Sequence, residues 1–360
     1  MDSYFVTIGR VTLIEVVFFH KLIDDNFMRN DLFTIRGICL AGMVAFSALL
    51  FSCSKSEAPI LEPASSITPQ KYAALLGRGM DVDWVKTGQG MEDYNAKAPQ
   101  DFKKLGFSHV RIRIADDISE DLLLHLDRVI TDCLSCGLIP VVAYQANDFK
   151  ENPSDANLER VVAWWKTVSE RYKNTSNLLS FDLIIEVTDE LNNQPATLNR
   201  LYEKAVAEIR VANPYRIIFI SPIVRSDPEN LNALVIPSKA NGYLMAEWHF
   251  YASGPSKSNP KKLWTTGTEE EKELIRQKIR YAVAWQQKTG IPTWVGAWMA
   301  GNYNDGNEYT VLEQVAFATF VKDELDRSKI PFAINSDTHF YNRSTGSWIE
   351  EMLPILKALF

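Results

Sequence analysis

The chain has 360 residues, 46% hydrophobic and 23% charged, an ordinary globular composition long enough for a sizeable core. Its formal net charge is -7, and no basic block or stripe of interleaved aromatic and basic residues stands out, which argues against a nucleic-acid partner. Nine Trp and thirteen Tyr suit stacking on sugar rings, although most such side chains serve a core.

The N-terminal part is read as targeting sequence. Met28, Arg29 and Arg36 precede an apolar run over 38–51, which closes in Leu50-Phe51-Ser52-Cys53. A basic start, a short apolar stretch and a small residue before the break describe a secretory signal, and the run is short for a membrane-spanning helix. The Leu-x-Ser-Cys ending resembles a bacterial lipobox, with Cys53 as the lipidated residue. Acyl chains there would anchor the protein to a membrane, on the periplasmic or cell-surface side, without making it span. Residues 28–52 are thus read as a lipoprotein signal and 53–72, rich in Pro and Ser, as a tether. Residues 1–27 precede a complete signal and are read as an extension upstream of a true start at Met28.

From residue 77 short β-rich runs alternate with longer helical ones. Strands are predicted over 77–84, 109–114, 138–143, 181–191, 217–220, 243–250, 292–296 and 332–335. Helices are predicted near 101–105 and over 119–136, 158–172, 198–211, 230–235, 269–288, 311–328 and 348–360. Eight strand–helix pairs without a composition break predict one α/β domain over 73–360, a (β/α)8 TIM barrel. A doubly wound sheet would show a glycine-rich phosphate loop, and Gly88-Gln89-Gly90 lacks the third glycine. Cys133 and Cys136 lie late in a predicted helix and read as core thiols, and Trp164 and Trp165 as packing.

The run 181–191 is expected to be a buried strand ending in Thr188, Asp189 and Glu190. Strand alternation would put Glu186 and Glu190 on one face and Asp189 on the other. In a barrel the C-terminal strand ends converge on the face that holds the chemistry. The predicted ends offer Asp81, Asp83 and Trp84; Arg111 and Arg113; Tyr144, Gln145, Asn147 and Asp148; Asp189 and Glu190; Glu247, Trp248, His249 and Tyr251; Ala297 and Trp298; and Asn335, Ser336, Asp337 and His339. This polar and aromatic set has no phosphate-binding glycines and no clear metal cluster, so no cofactor or metal is expected. It suits a ligand with many hydroxyls.

Several motifs in order carry a resemblance: Phe107-Ser108-His109-Val110-Arg111-Ile112, Glu186-Val187-Thr188-Asp189-Glu190-Leu191, His249-Phe250-Tyr251 and Gly296-Ala297-Trp298. From about residue 77 to its end the chain resembles the glycoside hydrolases of family 5, cellulase-like barrels that retain anomeric configuration. The resemblance implies a β-linked polysaccharide or oligosaccharide as ligand, with Glu190 as general acid/base. Arg111, Gln145, Asp189, His249, Tyr251 and Trp298 would line the sugar subsite. The sequence departs from the pattern at several positions. Asp189 stands where an Asn holds the sugar 2-hydroxyl, Leu191 replaces a Pro, Gln145 takes the place of a His, and no Trp lies near Ser336. Ala297 occupies the nucleophile position.

Retaining hydrolysis needs two carboxyls about 5 Å apart. A methyl at 297 leaves three readings. A relocated carboxylate, with Asp337, Glu308 and Glu247 as candidates, would keep the protein a hydrolase. Loss of catalysis would leave a monomeric glycan-binding lipoprotein. Substrate assistance would need an Asp-x-Asp-x-Glu run that is absent. Arg111 has two readings as well, a pairing with Glu186 or another acid inside the barrel and contact with ligand. His249 is either a core histidine or part of the site, and the position of Trp298 just past a strand end favours a sugar platform over core.

Overall fold

Eight parallel strands close into a barrel in the order β1 to β8, with β8 paired back to β1. They are β1 Arg78–Val82, β2 His109–Ile114, β3 Ile139–Tyr144, β4 Ser180–Asp182, β5 Ile218–Ile220, β6 Leu244–His249, β7 Thr293–Trp298 and β8 Phe332–Ile334. The computed structural model describes residues 66–250, 264–300 and 309–360. All belong to the unit Pro59–Phe360. The expected (β/α)8 barrel is what forms.

Alternation along the strands sorts side chains into two cores. One parity, with Ile139, Val141, Phe219, Met245 and Trp294, fills the barrel, and the helix Pro69–Leu76 adds Tyr72 and Leu76 to this cluster. The other parity, with Val110, Ile112, Val142, Phe181, Ile218 and Val295, packs against the surrounding helices. These helices start where their caps dictate. Ser119 accepts from Leu122 N to open Glu120–Ser135. Thr268 and Thr310 form capping boxes with Glu271 and Glu313 at Glu269–Thr289 and Val311–Arg327. Trp164 and Trp165 are buried in Asp155–Arg171, and Cys133 and Cys136 are free thiols.

Inside the barrel His109 accepts a hydrogen bond at Nε2 from Trp294 Nε1 (3.1 Å) and donates from Nδ1 to the Leu76 carbonyl (2.7 Å). This fixes the neutral tautomer, and burial pulls its pKa down to about 4. Gly79 on β1 carries no Cβ because one would collide with this imidazole.

Two predicted elements differ. The fourth strand ends at Asp182 instead of continuing to 191. Past it Leu183 N still bonds Phe219 O (3.3 Å) and Ile185 N bonds Tyr144 O (2.9 Å). Glu186 and Asp189 then take φ of 50° and 52°, and Asp189–Asn193 winds into a 3-10 turn. Leu183, Ile184 and Ile185 are buried, so their apolarity reports burial and not a continuing ladder. The expected alternation of Glu186, Asp189 and Glu190 therefore does not apply. The last helix is also shorter. Ser347–Trp348 pairs with Tyr341–Asn342, a 3-10 turn follows at Glu350–Met352, and α-helix forms only over Leu353–Lys357, with a proline in its first turn.

Candidate functional site

The inward parity of the strands brings charge together under the C-terminal mouth. Arg111 on β2, Asp81 on β1, Asp182 on β4 and Glu247 on β6 are all at most 1% exposed. Arg111 donates from Nε to Asp182 Oδ2 (2.8 Å) and from Nη2 to Glu247 Oε1 (2.8 Å). Its Nη1 lies 3.7 Å from Asp81 Oδ2. Of the two readings of Arg111, the pairing within the barrel is what forms, but with Asp182 and Glu247. Glu186 instead meets Arg225 at 3.1 Å.

Glu247 is the best-held anion of the group. Oε1 takes Arg111 and, at close range, His249 Nε2; Oε2 accepts from Ser221 Oγ (2.7 Å). His249 Nε2 also lies 3.2 Å from Arg111 Nη1. One ring nitrogen cannot both donate to Glu247 and accept from a guanidinium. The carboxylate partner wins because that bond is charge-assisted. Burial alone would raise the Glu247 pKa, but His249 and Arg111 overcome it and hold the carboxyl below its usual range. Burial likewise opposes the charged form of His249, and Glu247 more than restores it, so its pKa is raised. Asp182 goes the other way. Burial pushes its pKa up against the pull of Arg111, and its Oδ1 has no partner among the described residues. Asp81, also with an unpartnered Oδ1, is pushed up to about 6 by the same cause. Asp81 and Asp182, each with an oxygen that has no partner among the described residues, are the carboxyls on which burial favours a proton.

Above this layer Arg113 donates to Asp83 Oδ1 (2.7 Å) and Asn335 Oδ1 (2.8 Å). Asp337 is fully buried. It accepts from Asp83 N and Trp84 Nε1 (both 3.0 Å) and from Arg343 Nε (2.8 Å) and Nη2 (3.0 Å). Its carboxylate closes the β1 and β8 ends and is fully engaged.

The chain that leaves β4 carries Asp189 and Glu190 into solvent, and both are exposed. Thr188 Oγ1 donates to Asp189 Oδ2 (2.6 Å). Beside them, half-buried Gln145 accepts from Lys150 Nζ (3.2 Å), which also donates to the Ile185 carbonyl (3.2 Å). Burial lowers the Lys150 pKa to about 8, partly offset by Glu186 and Asp189. Lys150 carries no sequence signal, being one lysine in a five-residue helix, Asn147–Glu151.

Ala297 on β7 is half-buried, with His249 as its Cα partner across the sheet. Trp298 departs from the platform expected of it. It is 1% exposed and packs edge-on against Phe317 (6.0 Å) and Phe332 (5.6 Å). The β7–β8 pairing shifts register between Val295 and Trp298, and such an irregularity turns a side chain to the other face. Trp298 thus joins the outer core. Of the other expected site residues, Arg111 and His249 touch each other. Gln145, Asp189 and Glu190 sit at the adjoining β3 and β4 ends. Tyr251, Glu308 and Cys53 lie outside the described residues. Asp182, Ser221 and Lys150 were not among the expected site residues; inward parity is the signal that finds Asp182 and Ser221.

The acidic and basic side chains thus gather at the C-terminal mouth, the face on which (β/α)8 barrels hold their active sites. The family model for cellulase, glycosyl hydrolase family 5, matches residues 71–336, and the chain belongs to that family. Endoglucanase H of Acetivibrio thermocellus is 24% identical over 323 residues, which is 85% of this chain and 34% of that protein. Endoglucanase C of the same organism is 27% identical over 168 residues, 43% of this chain and 48% of that one. The chain thus spans about a third to a half of the curated relatives it matches. Among solved structures, Thermotoga maritima Cel5A in complex with cellobiose superposes with a TM-score of 0.70 at 22% identity, covering 81% of this chain and 100% of that one. The same enzyme in complex with mannotriose gives 0.70 at 21% identity, with the same coverage.

Proposed function

We propose that the barrel mouth takes up a β-linked oligosaccharide or polysaccharide and acts at its O-glycosidic bond, with Glu190 as general acid/base. The observation that carries this reading is the exposed Glu190, in the 3-10 turn of the segment that leaves β4, in a family 5 chain whose barrel also holds the buried Arg111, Glu247 and His249 cluster. Asp189 and Gln145 are the sugar contacts proposed beside Glu190, and Tyr251, which lies outside the described residues, is proposed as a further one. The endoglucanase relatives, and the cellobiose and mannotriose complexes of a structural neighbour, support a β-linked glucan or mannan as the first ligands to try. Glu190 would protonate the leaving oxygen, and Ala297 offers only a methyl where the family's attacking carboxylate stands.

A second reading, glycan binding without turnover, is favoured by a specific observation. Two of the three carboxyls that could replace the missing nucleophile, Glu247 and Asp337, are buried with both oxygens engaged. The third, Glu308, lies outside the described residues. Removing one of two cooperating catalytic groups costs several orders of magnitude in rate. Cys53 would hold either form of the protein at a bacterial membrane as a monomeric exported lipoprotein. The two readings separate in one experiment, which follows reducing-sugar release and calorimetric binding across β-glucan, mannan and xylan oligosaccharides. Turnover abolished by Glu190→Gln supports hydrolysis. Binding without turnover supports the second reading.

A further inference from the structure

Glu247 does something that neither catalytic role above gives it. It is fully buried on β6, and its carboxylate touches groups from three other strands' ends: Arg111 of β2, Ser221 past β5, and the backbone of β7. The contact with β7 is the telling one. A Cβ on Gly296 would fall on Glu247 Oε1 and lie within 2.7 Å of its Cγ and Cδ. Strand β7 is a glycine there because a carboxylate from β6 is wedged against it, one residue before Ala297. Fully buried, with Arg111 and His249 on Oε1 and Ser221 on Oε2, Glu247 is held as a structural anion and is not presented as a nucleophile. Its two cationic neighbours differ in exposure. Arg111 is sealed in, whereas His249 is 6% exposed at the last position of β6.

We propose that Glu247 is a positioning residue of the glycan site: wedged against Gly296, it holds the His249 imidazole as a fixed cation on the floor of the mouth. Glu247 acts on His249 from its own strand. Arg111 on β2 opposes the charge, while Asp81 on β1, Asp182 on β4 and Glu186 beyond β4 reinforce it. Glu247 is the only one of the acids that hydrogen-bonds the ring among the described residues. The ring then offers Nδ1–H to a sugar hydroxyl as a charged donor, the stronger kind of hydrogen bond.

This role rests on reading the mouth as a glycan site, but its first test is made on the protein alone. Histidine resonances of the full-length chain are followed by NMR from pH 4.5 to 9, with the His249 signal assigned by its loss in His249→Gln. The wild-type midpoint should lie above the ordinary 6.5 of histidine. In Glu247→Gln it should fall by about 1 unit or more. Gly296→Ala displaces the same carboxylate without removing it and should lower the midpoint in the same direction. Glycan affinity of Glu247→Gln should then weaken severalfold more at pH 7 than at pH 5, where the ring is mostly charged in either protein. A wild-type midpoint below 6.5, or folded variants that titrate like wild type, would overturn the role. If the midpoints shift as expected but no glycan binds wild type at any pH, the glycan reading fails and the Glu247–His249 coupling stands.

Discussion

Replacing Asp81 by asparagine probes how charge is held beneath the barrel mouth. Asp81 is 1% exposed, its Oδ1 has no partner among the described residues, and its nearest cations, Arg111 and Arg113, stand off at 3.7 Å each. Burial therefore outweighs attraction, and the pKa rises from 3.8 to about 6. A carboxyl whose folded pKa is raised binds its proton more tightly in the folded chain. Its contribution is fully present below pH 3.8 and is lost as pH rises through 6. The shift is about 2 units, which at about 1.4 kcal/mol per unit is a loss of about 3 kcal/mol between pH 4 and pH 7. Asp81→Asn removes this titration. Urea unfolding of both proteins at pH 4, 5, 6 and 7 should show stabilities that diverge by about 3 kcal/mol in favour of the variant as pH rises. A constant offset from altered packing does not affect that divergence. Parallel curves across the range would refute the reasoning, and a divergence of opposite sign would mean that Asp81 is held as an anion by its arginines.

Trp298→Ala should cost about 3–5 kcal/mol of unfolding free energy, because the ring fills the core against Phe317 and Phe332. Glycan affinity per folded molecule should not change, and an affinity loss at unchanged stability would return Trp298 to the role of sugar platform. Ala297→Glu should create or raise hydrolysis by about a thousandfold or more. The first anomer seen by NMR should show retention, and no gain in a folded, glycan-binding variant would refute the placement of Ala297 at the nucleophile position. Cys53→Ala should abolish incorporation of labelled fatty acid and release the protein from bacterial membranes, and undiminished labelling would end the lipoprotein reading.

The strand sequence of the barrel was legible because inward and outward parities were both apolar or cleanly alternating, as in His109–Ile114, and because helix starts carried their own caps at Ser119, Thr268 and Thr310. The run after Asp182 misled because Leu183, Ile184 and Ile185 are buried without belonging to a ladder. The positive φ of Glu186 and Asp189, in residues that are not glycine, leaves no compositional trace. The partners of Arg111 needed inter-strand register. Asp182 and Glu247 share the inward parity and the height of Arg111 in the barrel, whereas Glu186 lies beyond the end of β4 and meets Arg225. Trp298 was lost to a register shift, which one strand's sequence cannot reveal. Arg111 and His249 could be assigned to the second and sixth strands because each lies in a short β-rich run, whereas Glu190 lies in a 3-10 turn beyond the end of β4. The Gly296–Glu247 contact was not legible, because it joins two strands through a missing side chain.

The most direct test of the central claim is calorimetric titration of cello-, manno- and xylo-oligosaccharides into wild-type protein and Glu190→Gln, with product release followed in the same samples. At least one β-linked series should bind wild type, and any bond cleavage should disappear in Glu190→Gln while binding persists. Absence of both binding and cleavage for every series, in protein shown to be folded, would contradict that claim.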